Sequence, residues 1–211
     1  VTGTGTLTAA TYALAGGVVA GTLGSGIATV TGSVSLTGMT LADNLNINSG
    51  GTLTLGAFER IGAMTLVDVN AGELALGVNN NTVGAFTLRG GGLLSGTGTL
   101  TAATYALQGG SVNANLGLGV ASVTDGLTLL NGALAAGTVG ISSGTLLLGS
   151  TISLAAGATL TIGGSGVLDT ASNANTITAL TLNSGTVTGT GTLTAATYAL
   201  AGGVVAGTLG S

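Results

Sequence analysis

Aliphatic residues and small polar residues alternate along much of this 211-residue chain. The alternation has a period of two in stretches such as Thr52–Leu55, Glu73–Leu76 and Thr159–Ile162. A period of two places successive side chains on opposite faces of a β-strand, and Thr, Val, Leu and Ile suit a half-buried strand surface. Because 42 glycines and many threonines disfavour helix, the pattern predicts an all-β protein of short strands.

A longer rhythm is superimposed on this alternation. An aliphatic residue, then one or two small or polar residues, then Gly or Ser, recurs through the whole chain, and we call these aliphatic residues the markers. Ten steps lead from the first marker to the last, and a step covers about 18–19 residues on average. The markers are Leu14, Val30, Ile47, Val69, Leu88, Leu107, Val123, Ile141, Ile162, Leu182 and Leu200.

The residue that follows each marker is never a large apolar one. Such a position is typical of an outward-facing corner, and a glycine nearby supplies the backbone freedom that a corner needs. We therefore expect these residues to point away from the core. They are Ala15, Thr31, Asn48, Asn70, Arg89, Gln108, Thr124, Ser142, Gly163, Asn183 and Ala201.

One segment is repeated without change. Gly3–Leu14 (GTGTLTAATYAL) returns at Gly96–Leu107 and at Gly189–Leu200, 93 residues apart each time. A fixed period of this kind is the sequence signature of a repeat architecture. The repeats fall at 1–93 and 94–186, and the start of a third at 187–211 is identical to 1–25. The middle copy, Leu94–Leu118, diverges after Leu107.

Together the two rhythms predict a parallel, right-handed β-solenoid with about 18–19 residues per coil and five coils per 93-residue repeat. Residues 1–211 would form one continuous rod of about eleven coils, roughly 50 Å long at the usual spacing between strands. Stacking buries the inward face that no single coil can bury alone. Tyr12, Tyr105 and Tyr198 should then lie on one line, and the core should consist of small aliphatic layers.

Composition excludes several other classes. Charged residues make up 4% of the chain and the net charge is −4, so the several phosphate contacts of a nucleic-acid-binding protein are not expected. No run of about 20 apolar residues predicts a membrane-spanning helix. Cysteine is absent, so a disulfide scaffold is excluded. Because Val1 lies inside a repeat, we interpret the sequence as a window on a longer array.

Candidate chemistry is sparse. Without His, Cys or Lys, a zinc site, a Ser–His–Asp triad and a phosphate loop all lack an essential residue. Gly163–Asp169 approaches a calcium-binding repeat, but its Asp comes one position late and the phrase occurs once. We therefore predict no catalytic residue, no metal site and no cofactor, and no enzyme activity.

The carboxylates do not form a catalytic pair in the sequence. Asp68 and Glu73 are predicted at different coil positions, and Glu59-Arg60 are predicted at a solvated corner. Paired carboxylates are the remaining route to acid–base chemistry, so this placement favours solvated loop charges. The isolated acids are Asp43, Asp125 and Asp169.

Threonine pairs raise the possibility of an ice-binding face. They occur at Thr4/Thr6, Thr52/Thr54 and Thr159/Thr161. Such a face needs the pair on the same side of every coil, and Glu73–Ala75 and Gly91–Leu93 should interrupt that column. Threonine on strand surfaces also keeps a charge-poor solenoid wet. The single glycosylation sequon, Asn80–Thr82, is attributed to chance.

The phrases at Gly96–Gly117 and Asn48–Ala57 resemble the repeats of very large bacterial surface proteins. These are autotransporter passengers and filamentous-haemagglutinin-like exoproteins, and the resemblance covers essentially the whole chain. It implies export through the cell envelope, an extracellular or cell-surface location, a β-solenoid stalk, and an adhesive or matrix role.

We therefore expect a structural repeat segment of an extracellular bacterial fibre or adhesin stalk. The expected partners are adjacent repeats of the same chain or identical subunits stacked end to end, with lateral association of rods as a further possibility. The alternative is a surface-binding module that uses one face of the solenoid for a glycan, a host surface or ice. That alternative predicts a chemically uniform column of side chains along one face.

Overall fold

A computed structural model describes residues 1–150 and 153–211 of the chain. The described residues contain strands, turns and bends and no helix, which confirms the all-β prediction. The strands in chain order are β1 Thr6–Leu7, β2 Thr11–Leu14, β3 Gly17–Val19, β4 Thr22–Leu23, β5 Ile27–Val30, β6 Ser33–Leu36, β7 Met39–Thr40, β8 Asn44–Ile47, β9 Thr52–Leu55, β10 Leu66–Asn70, β11 Glu73–Ala75, β12 Asn81–Ser95, β13 Thr99–Val112, β14 Asn115–Leu116, β15 Val120–Val123, β16 Leu127–Leu130, β17 Thr138–Ile141, β18 Thr145–Leu148, β19 Thr159–Ile162, β20 Val167–Asp169, β21 Asn175–Leu182, β22 Thr186–Thr188, β23 Thr192–Leu200, β24 Val204–Val205 and β25 Thr208–Gly210.

The strands form three stacks, and strands pair in parallel from one coil to the next. Stack A contains β2, β5, β8, β10, β15, β17 and β19, with the middle of β12 and of β13 and the ends of β21 and β23. Stack B contains β3, β6, β9, β11, β16, β18, β20, β22 and β24, with the ends of β12 and β13. Stack C contains β1, β4, β7, β14 and β25, with the starts of β12, β13, β21 and β23.

The eleven predicted markers form a single inward column in stack A. Leu14 pairs with Val30, Val30 with Ile47, and so on without a slip as far as Leu182 with Leu200. The nine markers between Leu14 and Leu200 are at most 1% exposed. The predicted solenoid, its coil length and its five coils per 93 residues are therefore confirmed.

The predicted outward position next to each marker is also confirmed. None of the eleven residues from Ala15 to Ala201 that follow a marker is buried. The chain turns there, and glycines adopt backbone conformations that residues with side chains rarely adopt. Gly110 has a φ of +138°, and a Cβ on it would lie 2.3 Å from the carbonyl oxygen of Gly92 in the coil before. Close approach of successive coils therefore requires glycine at this corner.

Tyr12, Tyr105 and Tyr198 lie in one column of stack A, five coils apart, as the sequence predicts. Each tyrosine hydroxyl closes the corner between stack C and stack A. The Tyr105 hydroxyl accepts from the Ala102 N–H at 2.9 Å and lies 3.1 Å and 3.2 Å from the carbonyl oxygens of Leu100 and Leu118.

The other two copies of the segment repeat this contact. The Tyr12 hydroxyl accepts from the Ala9 N–H at 3.0 Å, and the Tyr198 hydroxyl accepts from the Ala195 N–H at 2.7 Å. In all three copies of the invariant segment, the tyrosine hydroxyl therefore accepts the backbone N–H of the residue three positions before it and fixes the corner.

Most of the core consists of aliphatic layers, as predicted. The inward positions of stack B are leucine and valine in almost every coil, among them Leu53, Leu74 and Leu94 in register. Aromatic rings are few, yet Phe86 and Tyr105 pair in successive coils with exposures of 0% and 1%. Two adjacent rings therefore fit where the neighbouring layers of the column carry smaller side chains such as Ala121.

Stack C departs from the expected aliphatic core at three described positions, Thr40, Asn81 and Asn175. Asn81 and Asn175 are buried in the inward column of this stack, at 1% and 4% exposure, where neighbouring coils carry Ile61, Leu100 and Leu193. In both repeats the asparagine follows a coil that meets stack C by a single bridge, at Ile61 or Leu154. Polarity is tolerated there because the amide oxygen of each asparagine accepts a backbone N–H of the preceding coil, although Nδ2 of Asn175 has no partner among the described residues.

Candidate functional site

The charged side chains are distributed along the solenoid and are engaged one or two at a time. Across residues 1–150 and 153–211, no three His, Cys, Asp or Glu side chains lie close enough together to hold a metal ion. The acids at corners bond to nearby backbone amides. Asp43 accepts from the Gly26 N–H at 2.9 Å, and Asp169 accepts from the Ala171 N–H at 2.8 Å.

Asp68 and Glu73 lie in different stacks, as the sequence predicts. Asp68 on stack A accepts hydrogen bonds from Arg89, from Nη2 at 2.6 Å and from Nε at 3.0 Å and 3.2 Å. The hydrogen bond and then the charge of Asp68 raise the pKa of the Arg89 guanidinium. The Arg89 side chain is 44% exposed and that of Asp68 is 26% exposed, so water screens this ion pair and it contributes about 0–1 kcal/mol to stability. Glu73 on stack B instead accepts from the Ser95 hydroxyl at 2.5 Å.

The Glu59-Arg60 corner is only partly solvated, so the prediction for these two residues needs correction. Glu59 is exposed, and its carboxylate accepts from the N–H of Thr82 in the next coil at 3.0 Å. Arg60 is half-buried, and its Nε is buried with no partner in the described part of the chain. The corner is therefore tied to the neighbouring coil instead of projecting freely into water.

The three threonine pairs lie in three different stacks. Thr6 belongs to stack C, Thr52 and Thr54 to stack B, and Thr159 and Thr161 to stack A. In stack B, Thr52 is followed by Glu73 and then Leu93 in the same outward column. The predicted interruption is confirmed, and these pairs do not combine into one threonine face.

A polar groove lies on the corner between stack B and stack C in the second repeat. It has a volume of about 440 Å³, and its lining comprises Gly96, Thr97, Asn113, Asn115, Asn131, Gly132, Ala133 and Ser150. Asn131 donates through Nδ2 to Oδ1 of Asn113 at 2.8 Å, and Asn115 accepts the N–H of Ala133 at 3.0 Å. Side-chain amides of neighbouring coils therefore line this groove and bind one another.

Sequence reasoning did not single out this groove. Its signal is the divergence of the middle copy, because Asn113 and Asn115 stand where the first copy has Ala20 and Thr22. The convergence of these amides depends on which corners stack on which. That stacking also brings Asn131, from the following coil, beside Asn113.

A second surface is apolar and lies on the corner between stack C and stack A. Met64 is 86% exposed and Leu118 is 73% exposed, and both line a groove of about 470 Å³. Leu41 is 47% exposed and lines a smaller neighbouring groove with Met64. This corner therefore presents apolar surface to solvent. The lining of the larger groove contains no charged side chain.

Comparisons with known proteins add no family to this description. A scan of family models, a search of curated proteins and a search of solved structures gave no match for this chain. The resemblance to repeats of bacterial surface proteins therefore stays a prediction. In the described ranges there is no helix long and apolar enough to cross a membrane.

Proposed function

We propose that this chain is a structural repeat segment of an extracellular bacterial fibre or adhesin stalk. It acts as a stiff spacer or filament building block. The observation that supports this proposal is the unbroken marker column from Leu14 to Leu200, which stacks eleven coils in one register. Each coil contacts only its neighbours, so every coil added lengthens the rod, and the stacking between neighbouring coils keeps it stiff.

Resistance to proteolysis fits this role. The chain has no lysine, so Arg60 and Arg89 are its only sites for a trypsin-like protease. Arg60 is half-buried, and Arg89 is held against Asp68 at 2.6 Å. A protease that needs an extended, accessible strand would have to open the solenoid at these points first.

The extracellular and bacterial assignment comes from the repeat style. The phrases at Gly96–Gly117 and Asn48–Ala57 resemble adhesin repeats, and the absence of cysteine from the chain agrees with that class. Adjacent repeats of the same chain, or identical subunits stacked end to end, are the proposed partners. The exposed apolar corner at Met64 and Leu118 is a surface through which rods could associate laterally.

A length series in the native protein tests the spacer role. Deleting residues 1–186 leaves 187–211 in the place of the identical 1–25, so the junction with any preceding sequence is unchanged. We expect ten fewer coils and a fibre about 48 Å shorter, with display at the cell surface unchanged. Duplicating the same segment is the matched control and should lengthen the fibre equally. A fibre of unchanged length, or a loss of display at the cell surface in both variants, contradicts the spacer role.

The polar groove at Asn113 and Asn131 favours a second candidate function, a binding module for a neutral glycan. Its amide groups can exchange hydrogen bonds with sugar hydroxyls, and its volume of about 440 Å³ lies within the range of small-molecule sites. Titration of a neutral oligosaccharide array tests this function. An Asn113→Ala/Asn131→Ala double variant should lose binding, whereas an Asn183→Ala variant, which lies outside the groove, should keep it. No binding by the unaltered chain contradicts the second function.

A further inference from the structure

The middle copy of the repeated segment differs from the outer copies on the side that faces the following coil. Gln108 donates to the Thr124 hydroxyl at 3.3 Å, Asn113 accepts from Asn131 at 2.8 Å, and Asn115 accepts from the Ala133 N–H at 3.0 Å. Three of the six side chains that diverge after Leu107 therefore bind the coil that comes next. The first copy has Ala15, Ala20 and Thr22 at these positions.

The following coils carry the same residue, Thr31 or Thr124, at the position that meets Gln108, but they differ at the other two positions. Val30 and Val123 are equivalent markers, and the coil after the first copy carries Thr37 where the coil after the middle copy carries Asn131. It likewise carries Met39, paired with Thr22, where the other coil has Ala133. At these two positions the two halves of each interface thus change together within one chain.

The third copy carries the side chains of the first. It has Ala201, Ala206 and Thr208 where the middle copy has Gln108, Asn113 and Asn115. Apolar side chains lie on the far side of this third copy, where Leu200 is 52% and Val205 is 39% exposed in the structure. The equivalent Leu107 and Val112 of the middle copy are fully covered by the next coil.

We infer that the far side of the Val187–Ser211 coil binds a further copy of the coil Gly26–Ile47, and rejects a copy of the coil Gly119–Ile141. Ala206 and Thr208 set this preference, because they face the two positions at which the following coils differ. The inference rests on the proposed role as a rod segment and deepens it, because it names the coil that continues the rod. It also means that the rod is extended by two repeats at a time, 1–93 together with 94–186, although the repeated segment returns every 93 residues.

The geometry of the predicted contact is already present in the chain. Residues 1–25 have the same sequence as 187–211. Thr11 pairs with Ile27, and Leu14 pairs with Val30. The Ile27 N–H donates to the Ala10 carbonyl at 2.9 Å, and the Thr31 N–H donates to the Leu14 carbonyl at 3.0 Å. The added coil would make the same bonds to Ala196 and Leu200.

Two extended chains of equal length test the preference. The first continues residues 1–211 with residues 26–118, and the second continues them with residues 119–211, so both gain one repeat length and end on a copy of the repeated segment. Residues 94–211 carry an isotope label introduced by segmental ligation, because their sequences recur elsewhere in the extended chains. Hydrogen exchange is then measured over the labelled residues 197–205 by mass spectrometry. We expect the first chain to slow exchange there on the order of a hundredfold relative to the 211-residue chain, and the second to slow it much less.

A rescue variant and an internal control complete the test. Ala206→Asn and Thr208→Asn together should raise protection in the second chain to the level of the first. Residues 104–112 of the same molecules report whether the original solenoid is intact. Equal protection in both chains without the rescue, or no protection in either, overturns the inference. A fibre whose length does not follow coil number would refute the spacer role and leave this result standing.

Discussion

The side-chain amide of Asn81 binds both backbone polar groups of Ile61 in the preceding coil. Oδ1 accepts from the Ile61 N–H at 3.0 Å, and Nδ2 donates to the Ile61 carbonyl at 3.0 Å. The amide therefore replaces a strand contact where stack C is reduced to a single bridge. Asn175 lies at the same position five coils later and accepts from the Leu154 N–H at 3.1 Å.

Replacing Asn81 with leucine should destabilise the protein by about 2–4 kcal/mol, even though the next coil has Leu100 in the same column. Leucine fills the space but leaves the N–H and carbonyl of Ile61 buried without partners, and each such group costs about 1–3 kcal/mol. Urea unfolding followed by circular dichroism measures the loss. The exposed Asn183→Ala variant is the control and should change stability by less than about 0.5 kcal/mol. A stable Asn81→Leu variant contradicts the account of stack C.

Leu107 and Leu200 occupy identical local sequences but different environments. Leu107 is 0% exposed between two coils, whereas Leu200 is 52% exposed. Leu107→Ala should lower the free energy of unfolding by about 2–5 kcal/mol because it leaves a cavity in a packed layer. Leu200→Ala should lower it by about 1 kcal/mol or less. Equal losses in the two variants, measured by urea unfolding, would show that stacking does not determine the stability of these layers.

Gly132 and Gly137 lie five residues apart and should respond differently to alanine. A Cβ on Gly132 would lie 1.9 Å from the carbonyl oxygen of Ala114, whereas a Cβ on Gly137 would meet nothing within 4 Å. Gly132→Ala must push two coils apart at this corner, so we expect a loss of about 1–3 kcal/mol or more. Gly137→Ala should be close to neutral. Thermal unfolding of both variants tests the prediction, which fails if their midpoints agree.

Tyr105 makes stability depend on alkaline pH. Burial raises the pKa of its hydroxyl above the ordinary value of 10.0, against the opposing effect of backbone hydrogen bonds. The unfolded chain then releases this proton first, so the native state holds more protons above pH 10. The free energy of unfolding should therefore be unaffected by this group below about pH 9 and fall as the pH rises through and above about 10.

The Tyr105→Phe variant isolates this effect. It should be less stable at neutral pH, because the Ala102 N–H and the Leu118 carbonyl lose this hydroxyl as a partner, while the Leu100 carbonyl keeps the Gly117 N–H. Its stability should also fall less steeply as the pH rises above about 10. Urea unfolding at a series of pH values measures both. Parallel pH profiles for the two proteins would contradict a buried, proton-retaining Tyr105.

The coil register was predictable because the signals that determine it are local. A marker such as Val69 faces inward, a polar residue such as Asn70 follows it, and a glycine allows the corner. The burial of Asn81 was not predictable, because Asn79-Asn80-Asn81 has the composition of a turn. The Asn81 amide has internal partners only because the N–H and carbonyl of Ile61 lie beside it in the preceding coil.

The candidate surfaces were less predictable than the fold. A period of two assigns Thr52 and Thr159 to outward faces but does not say that they belong to different stacks. The polar groove likewise combines side chains from corners of successive coils, such as Asn113 and Asn131. Surfaces of a solenoid are assembled across coils, so they depend on corner lengths that local patterns leave open.

Cryo-electron microscopy of the native full-length protein tests the central claim most directly. The account predicts rods whose strands lie across the axis at a spacing of about 4.8 Å, with features that recur about every 24 Å along the rod, once for every five coils. Compact globular particles, or strands that run along the rod axis, would contradict it.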